Sequence, residues 1–213
     1  MNRRKIPEYL TEEEVKKIIA QPNKRTPTGL RNKAILSFIW DTGSRTGDII
    51  NLRPSRIRLK DREADLKDGK YGVDRTVIFS EYTAELLREY KKQRPKSEYL
   101  FCTLEGNQLS RRYLYNMVRR YARRAGIDKK VGGHAIRHSY AIKFYKDSGH
   151  DLFALQKLLG HSRVTSTQVY CYIDNEHARK AQESYFTKRD HKDTIEDKLR
   201  ALEEQIQQLR DSR

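Results

Sequence analysis

The spacing of apolar and polar residues along the chain changes period twice, and the changes outline the predicted elements. Thr11-Glu12-Glu13-Glu14 has capping-box spacing: the Thr11 hydroxyl takes an orphan amide of the first turn while Glu14 reaches back. A helix over residues 11–20 is therefore predicted. QPNKRTPTG, residues 21–29, is rich in turn formers and reads as a loop. Residues 30–42 are helical again, with Ile35, Phe38 and Ile39 on one face, and DTGSRTGD, residues 41–48, breaks that helix and opens a short one. Between residues 57 and 80 the pieces IRL, EADL and RTVIF are short and β-prone, and polar turns such as DGKYG separate them. They predict a small antiparallel meander. Helical patterns return over residues 81–93, 110–124, 134–148 and 151–159, with further helix from Arg163 onward. The fold class is mainly α with a small antiparallel β-sheet, and no internal repeat stands out.

The last stretch, residues 188–213, is different. Ile195, Leu199, Leu202, Ile206 and Leu209 step by four, three, four and three, a two-heptad seam on a charged helix. This amphipathic tail suits a protein contact, with its own fold or with a neighbouring copy. Three segments are expected: a basic leader over residues 1–10, a main domain over 11–187, and the tail.

Charge adds the first functional constraint. Lysine and arginine number 45 against 29 acidic residues, a formal +16, and the charges of the tail cancel, so the whole excess lies in the preceding chain. Such a surplus suits a polyanion, because each phosphate contact releases condensed counterions. A charged solubility surface is the alternative. Cys102 and Cys171 stand far apart, which suits a reducing cytoplasm and argues against a disulfide scaffold or a cysteine zinc site. The N-terminal MNRRKIPEYL has no apolar stretch for a signal peptide, and AILSFIW is too short for a membrane span. A soluble cytoplasmic protein without a membrane partner is expected.

Several reactive groups sit at predicted breaks. Arg45 lies at the turn that opens the short helix, and Lys70 lies in the DGKYG turn. His134 and Arg137 are three apart on one helical face. His161 follows Gly160, and Tyr170 comes nine residues later. Cleaving a phosphodiester without metal needs cations for the non-bridging oxygens, an acid for the leaving oxygen and a nucleophile. Arginine supplies a planar fork that stays charged, lysine or histidine moves protons, and a cluster of cations lets a tyrosine act as nucleophile. Plainer readings stand beside these. Arg45 could simply pair with Asp48, and Lys70 could be a solvated turn residue. His134 and His138, four apart, could share a zinc ion, although no third ligand is evident. Tyr140 and Tyr145 read as core or groove residues.

These residues, in this order, resemble the tyrosine recombinases, over about residues 8–186. DTGSRTGDIINLRPSRI resembles that family's first arginine box, with Asp48 three beyond Arg45. GKYGVDRTVIF resembles its β-hairpin, with Lys70 followed five positions on by Arg75. HAIRHSYAIKFYKDSGHDLFALQKLLGHSRVTSTQVY resembles the second box, from HxxR through LLGH to the tyrosine. The resemblance implies a DNA breaking-rejoining domain and a site-specific recombinase. Arg45 and Arg137 would clamp the scissile phosphate with His161 donating to it. His134 would be the acid/base partner of the tyrosine, and Lys70 would protonate the departing 5′ oxygen. Tyr170 would form a 3′-phosphotyrosyl link with neither metal nor ATP as cofactor. Asp48 would orient Arg45, and Arg75 is a candidate DNA contact. The implied partners are duplex DNA with a specific site and three further copies of the chain, with exchange of the C-terminal helix between protomers. Ser44 stands where the family usually has an apolar residue, VIF replaces the common VPL, and Ala135-Ile136 fills the middle of HxxR. The matching sequence begins within about ten residues of Met1, so the resemblance implies either a small recombinase lacking the family's amino-terminal DNA-binding domain or a piece of a larger integrase. Two rivals remain at this point: a type IB topoisomerase-like relaxation enzyme, and a silent DNA-binding module on the same fold.

Overall fold

The longest described helix forms the axis of the fold. In the computed structural model the described residues are 9–67, 74–129, 131–173, 179–187, 198–200, 202–203, 207 and 210. They divide into two compact units, residues 1–170 and 171–213. All of the chemistry considered below lies in the first. Most of the predicted tail, Lys70 and the tip of its hairpin, and the Tyr172 side chain lie outside the described residues.

In the first unit, α1 (Glu12–Ala20) starts on the predicted capping box, with Thr11 accepting from the Glu14 amide and Glu14 accepting from the Thr11 amide. The central α2 (Pro27–Thr42) begins three residues before the expected start. Thr26 caps it and Pro27 fills the first turn, where a missing N–H costs nothing. Residues on every side of α2 are buried, from Leu30 to Thr42, because α1, α4 (Glu81–Gln93) and α6 (Gly133–Asp147) pack around it. Phe38 meets Phe79 at 5.6 Å and Phe101 at 6.4 Å between ring centroids, and Phe101 stacks on Tyr90.

The meander forms as predicted, in the order β1 (Ile57–Arg58), β2 (Glu63–Leu66), β3 (Arg75–Ile78), all antiparallel. Its two-residue alternation turns Arg75 and Val77 inward and leaves Thr76 and Ile78 exposed. Leu66 faces Arg75 across the ladder. The sheet thus delivers a cation to the interior.

Helices α3 (Thr46–Asn51), α5 (Arg111–Arg124) and α7 (Leu152–Leu159) complete the unit, with Ser110 capping α5 and Asp151 capping α7. Of the further helices expected from Arg163 onward, the first stretch is a pair of 3-10 turns, Val164–Ser166 and Gln168–Ile173, and α-helix is found at residues 179–187. Val164, Thr165, Thr167 and Val169 are β-branched and lose rotamer freedom in an α-helix. Three-residue hydrogen bonds from Thr167 to Val164 and from Tyr170 to Thr167 close the tighter turns. No helix among the described residues is long and apolar enough to cross a membrane.

Candidate active site

Two glycine-ended helices build the floor of the site. Gly43 ends α2 at φ +60 and Gly160 ends α7 at φ +61, both in the left-handed region. Neither has room for a side chain. A Cβ on Gly43 would sit 2.4 Å from the Tyr140 ring, and one on Gly160 would sit 2.9 Å from Arg75 Nη1. The last carbonyls of α7 have no partner within their helix and carry its partial negative charge, so they attract cations.

Two arginines answer them. Arg45 stands at the N-cap of α3 and its Nη2 donates to the Gly160 carbonyl at 2.7 Å. Arg137, on α6 and 5% exposed, donates from Nη2 to the Leu159 carbonyl at 3.0 Å and from Nη1 to the Gly43 carbonyl at 2.6 Å. One guanidinium therefore ties the ends of both helices together. Burial, then the neighbouring Arg45 and Arg75, pushes Arg137 down to about 10, which leaves it charged at neutral pH. A cluster of cations in a partly dehydrated place is a site that favours an anion.

His161 completes this cluster. Arg137 Nη2 lies 2.9 Å from its Nε2, and because a guanidinium only donates, Nε2 accepts. The ring proton is therefore on Nδ1 and is given to Thr167 Oγ1 at 2.8 Å. Burial first, then Arg137, Arg45 and Arg75, lowers His161 to about 4. It is neutral at pH 7, and donation to an arriving phosphate from Nε2 requires a proton on that nitrogen, by a change of tautomer with the Thr167 hydroxyl then donating to Nδ1, or by uptake from solvent.

Asp48 is joined to both Arg45 and Arg75. Asp48 accepts the backbone amide of Arg45 at 2.8 Å, which fixes the start of α3. The same carboxylate oxygen binds Arg75 Nη2 at 2.7 Å in a pair that is almost fully buried. Arg75 is thus an interior residue beside Gly160. Its Nε and Nη1 are buried with no hydrogen-bond partner among the described residues, an arrangement that an anion nearby would relieve. Ser44, the polar departure in the first box, is satisfied internally by Thr42 Oγ1 at 2.6 Å.

Tyr170 is 2% exposed and sits at the end of the unit on the second 3-10 turn. Its hydroxyl lies 2.8 Å from Nδ1 of His138, a residue that sequence reading had considered only as a zinc partner of His134. His134, expected at the tyrosine, is exposed one turn earlier on α6. Although much of its side chain meets water, partial desolvation of the ring, and then the guanidiniums of Arg137, Arg111 and Arg45, lower its pKa. The available signal for His138 was its place directly after Arg137, but no spacing rule ties it to a residue 32 positions away. Burial raises the Tyr170 phenol, and Arg137 opposes that rise.

Guanidiniums converging on helix-end carbonyls, a histidine between them and a buried tyrosine in the same unit are the equipment of a phosphate-handling protein. The model of the phage integrase family matches residues 8–177, and the chain belongs to that family. Tyrosine recombinase XerA of Thermococcus kodakarensis is 34% identical over 184 residues, covering 84% of this chain and 63% of that protein. A crystal structure of XerA recombinase superposes with a TM-score of 0.73 at 30% identity, over 85% of this chain and 66% of the other. XerH site-specific recombinase, in a post-cleavage complex with a palindromic difH substrate, gives 0.72 at 28% identity, over 85% of this chain and 54% of the other. The chain spans less than two thirds of the length of the curated relatives it matches.

Proposed function

We propose that this chain carries the catalytic domain of a site-specific DNA recombinase, which cuts and rejoins duplex DNA through a 3′-phosphotyrosyl bond to Tyr170. The observation that carries the reading is the convergence of Arg45, Arg137 and His161 on the C-terminal end of α7, with Tyr170 in the same compact unit. The scissile phosphate takes the place of the helix-end carbonyls as acceptor for part of the two guanidinium forks. With a proton on Nε2, reached by a change of tautomer or by uptake from solvent in the field of the arriving anion, His161 donates to a non-bridging oxygen. Tyr170 attacks phosphorus, and Lys70 gives a proton to the departing 5′ oxygen. The covalent link keeps the bond energy, so rejoining needs no ATP, and none of these steps calls on a metal. Asp48 keeps the first arginine turn and Arg75 in place. The difH substrate bound by XerH recombinase and the surplus of +16 both support duplex DNA as the substrate. Recombination between two duplexes calls for four protomers, and the apolar seam of residues 188–213 is the element proposed to pass between them.

The test uses duplexes that the chain selects from a random pool, nicked close to the selected sequence so that the cleaved strand diffuses away. The expected result is a covalent protein–DNA adduct that Tyr170→Phe abolishes and Tyr172→Phe retains. An intact enzyme that traps no adduct on any selected duplex leaves a DNA-binding module as the correct reading.

A further inference from the structure

We propose that His138 is a catalytic residue of this site, the group that accepts the Tyr170 hydroxyl proton as the tyrosine attacks and returns it when the strand is rejoined. The inference rests on the reading above. Its main support is the geometry of the phenol, whose only hydrogen-bond partner among the described residues is the His138 ring, 2.8 Å away. The two rings lie 6.0 Å apart between centroids, tilted by 51°. A buried hydroxyl needs an acceptor for its proton, and no other acceptor among the described residues lies at this oxygen. Nδ1 of His138 therefore accepts, and the ring proton sits on Nε2.

The surroundings keep that nitrogen free of a second proton. Burial, then His134 one turn earlier and Arg137 next to it on α6, holds His138 near 4. The other groups facing it are His161 beyond the end of α7, whose own pKa it helps to lower, and Tyr170 itself. At neutral pH a neutral imidazole thus meets a protonated phenol. Arg137 and His138 are adjacent in sequence, about 100° apart round the helix. One turn of α6 therefore carries both the residue tied to the ends of α2 and α7 and the residue that holds the nucleophile.

The step balances. The Tyr170 O–H bond breaks and its proton goes to His138 Nδ1, while the electron pair left on the phenol oxygen forms the new bond to phosphorus. The bond from phosphorus to the 5′ oxygen breaks, and that oxygen takes a proton from Lys70. On rejoining, the 5′ hydroxyl returns its proton to Lys70 and attacks phosphorus. The departing Tyr170 oxygen recovers its proton from His138.

The test follows the rate of adduct formation on the nicked, selected duplexes from pH 7 to 9. It compares the wild-type chain with His138→Asn, which keeps an acceptor near the Nδ1 position, and with His138→Ala. Both variants should be slower by about 100-fold or more at pH 7, the usual contribution of a positioned base. The deficit should shrink by about tenfold per pH unit, because the phenol must then ionise to solvent. Variants that cleave at the wild-type rate or faster overturn the proposal, as does a deficit that stays constant with pH, the mark of a packing role. Melting curves show whether each variant is folded. A readout on the unaltered chain stands apart from them: nitrogen-15 spectra of the histidine rings should show His138 with its proton on Nε2. A proton on Nδ1 would mean that the ring donates to the phenol, and would overturn the assignment. A wild-type chain that forms no adduct defeats the recombinase reading together with this inference, whereas wild-type cleavage with unaffected variants defeats this inference alone.

Discussion

His138 and His161 are displaced in the same direction, from the ordinary 6.5 to about 4, each chiefly by burial and then by neighbouring cations. Unfolding returns both to their ordinary value. Between pH 6.5 and 4 the unfolded chain therefore binds protons that the folded chain does not. Stability from this source is complete above that window and is lost as the pH falls through it. Melting temperatures measured at intervals across the window should fall, and His138→Asn or His161→Gln should flatten the decline. A curve that stays level until the carboxylates titrate would show that neither ring is held neutral. At this scale the sequence revealed residue types but not pairings. Arg45, Arg137, His161 and Tyr170 were legible as a set. His134 was expected as the acid/base partner of Tyr170, whereas the hydrogen bond of the Tyr170 hydroxyl is with His138, and Arg75, a candidate DNA contact, is buried against Asp48. Pairing of side chains 27 or 32 residues apart depends on how β3, α3, α6 and the 3-10 turns dock, which local spacing does not contain.

The C-terminal end of α7 is the element on which the site turns, because its carbonyls hold both Arg45 and Arg137 and its glycine gives Arg75 room. Gly160→Ala adds a side chain in the left-handed region, a cost of about 1–2 kcal/mol, and drives it into a guanidinium that Asp48 already holds. Gly149 offers a matched control: its φ is +68 and nothing lies within 4 Å of a Cβ placed there. The two alanine variants should lose similar stability in urea titrations, with the Gly160 variant somewhat worse. Only Gly160→Ala should also lose adduct formation, by tenfold or more. Equal cleavage by both would mean that the α7 end does not position the clamp. The elements themselves were largely readable: the capping box of α1, the meander, and the stop at LLGH were all anticipated. The chain just after Arg163, where further helices were expected to begin, forms 3-10 turns first. Its β-branched residues and the His161–Thr167 hydrogen bond favour tighter turns.

Over the whole molecule the dominant quantity is the formal +16, carried entirely ahead of the balanced stretch 188–213. Association with duplex DNA should therefore weaken steeply with salt, since each phosphate neutralised steepens the decline. Fluorescence anisotropy on one duplex between 50 and 200 mM salt should show a loss of at least about tenfold. A flat series would remove electrostatics as the source of binding. By itself the sequence determined the family resemblance, the mainly helical class with its small sheet, and the order of the candidate reactive groups. Each of these rests on near-neighbour spacing, glycine stops and charge counts. Only the tertiary structure decided which imidazole meets the tyrosine, which carboxylate holds which arginine, and that the helix-end carbonyls of α2 and α7 gather the guanidiniums. Those outcomes depend on burial and on contacts between distant segments. Dehydration and neighbouring cations, absent from an extended chain, set the protonation states on which the chemistry depends.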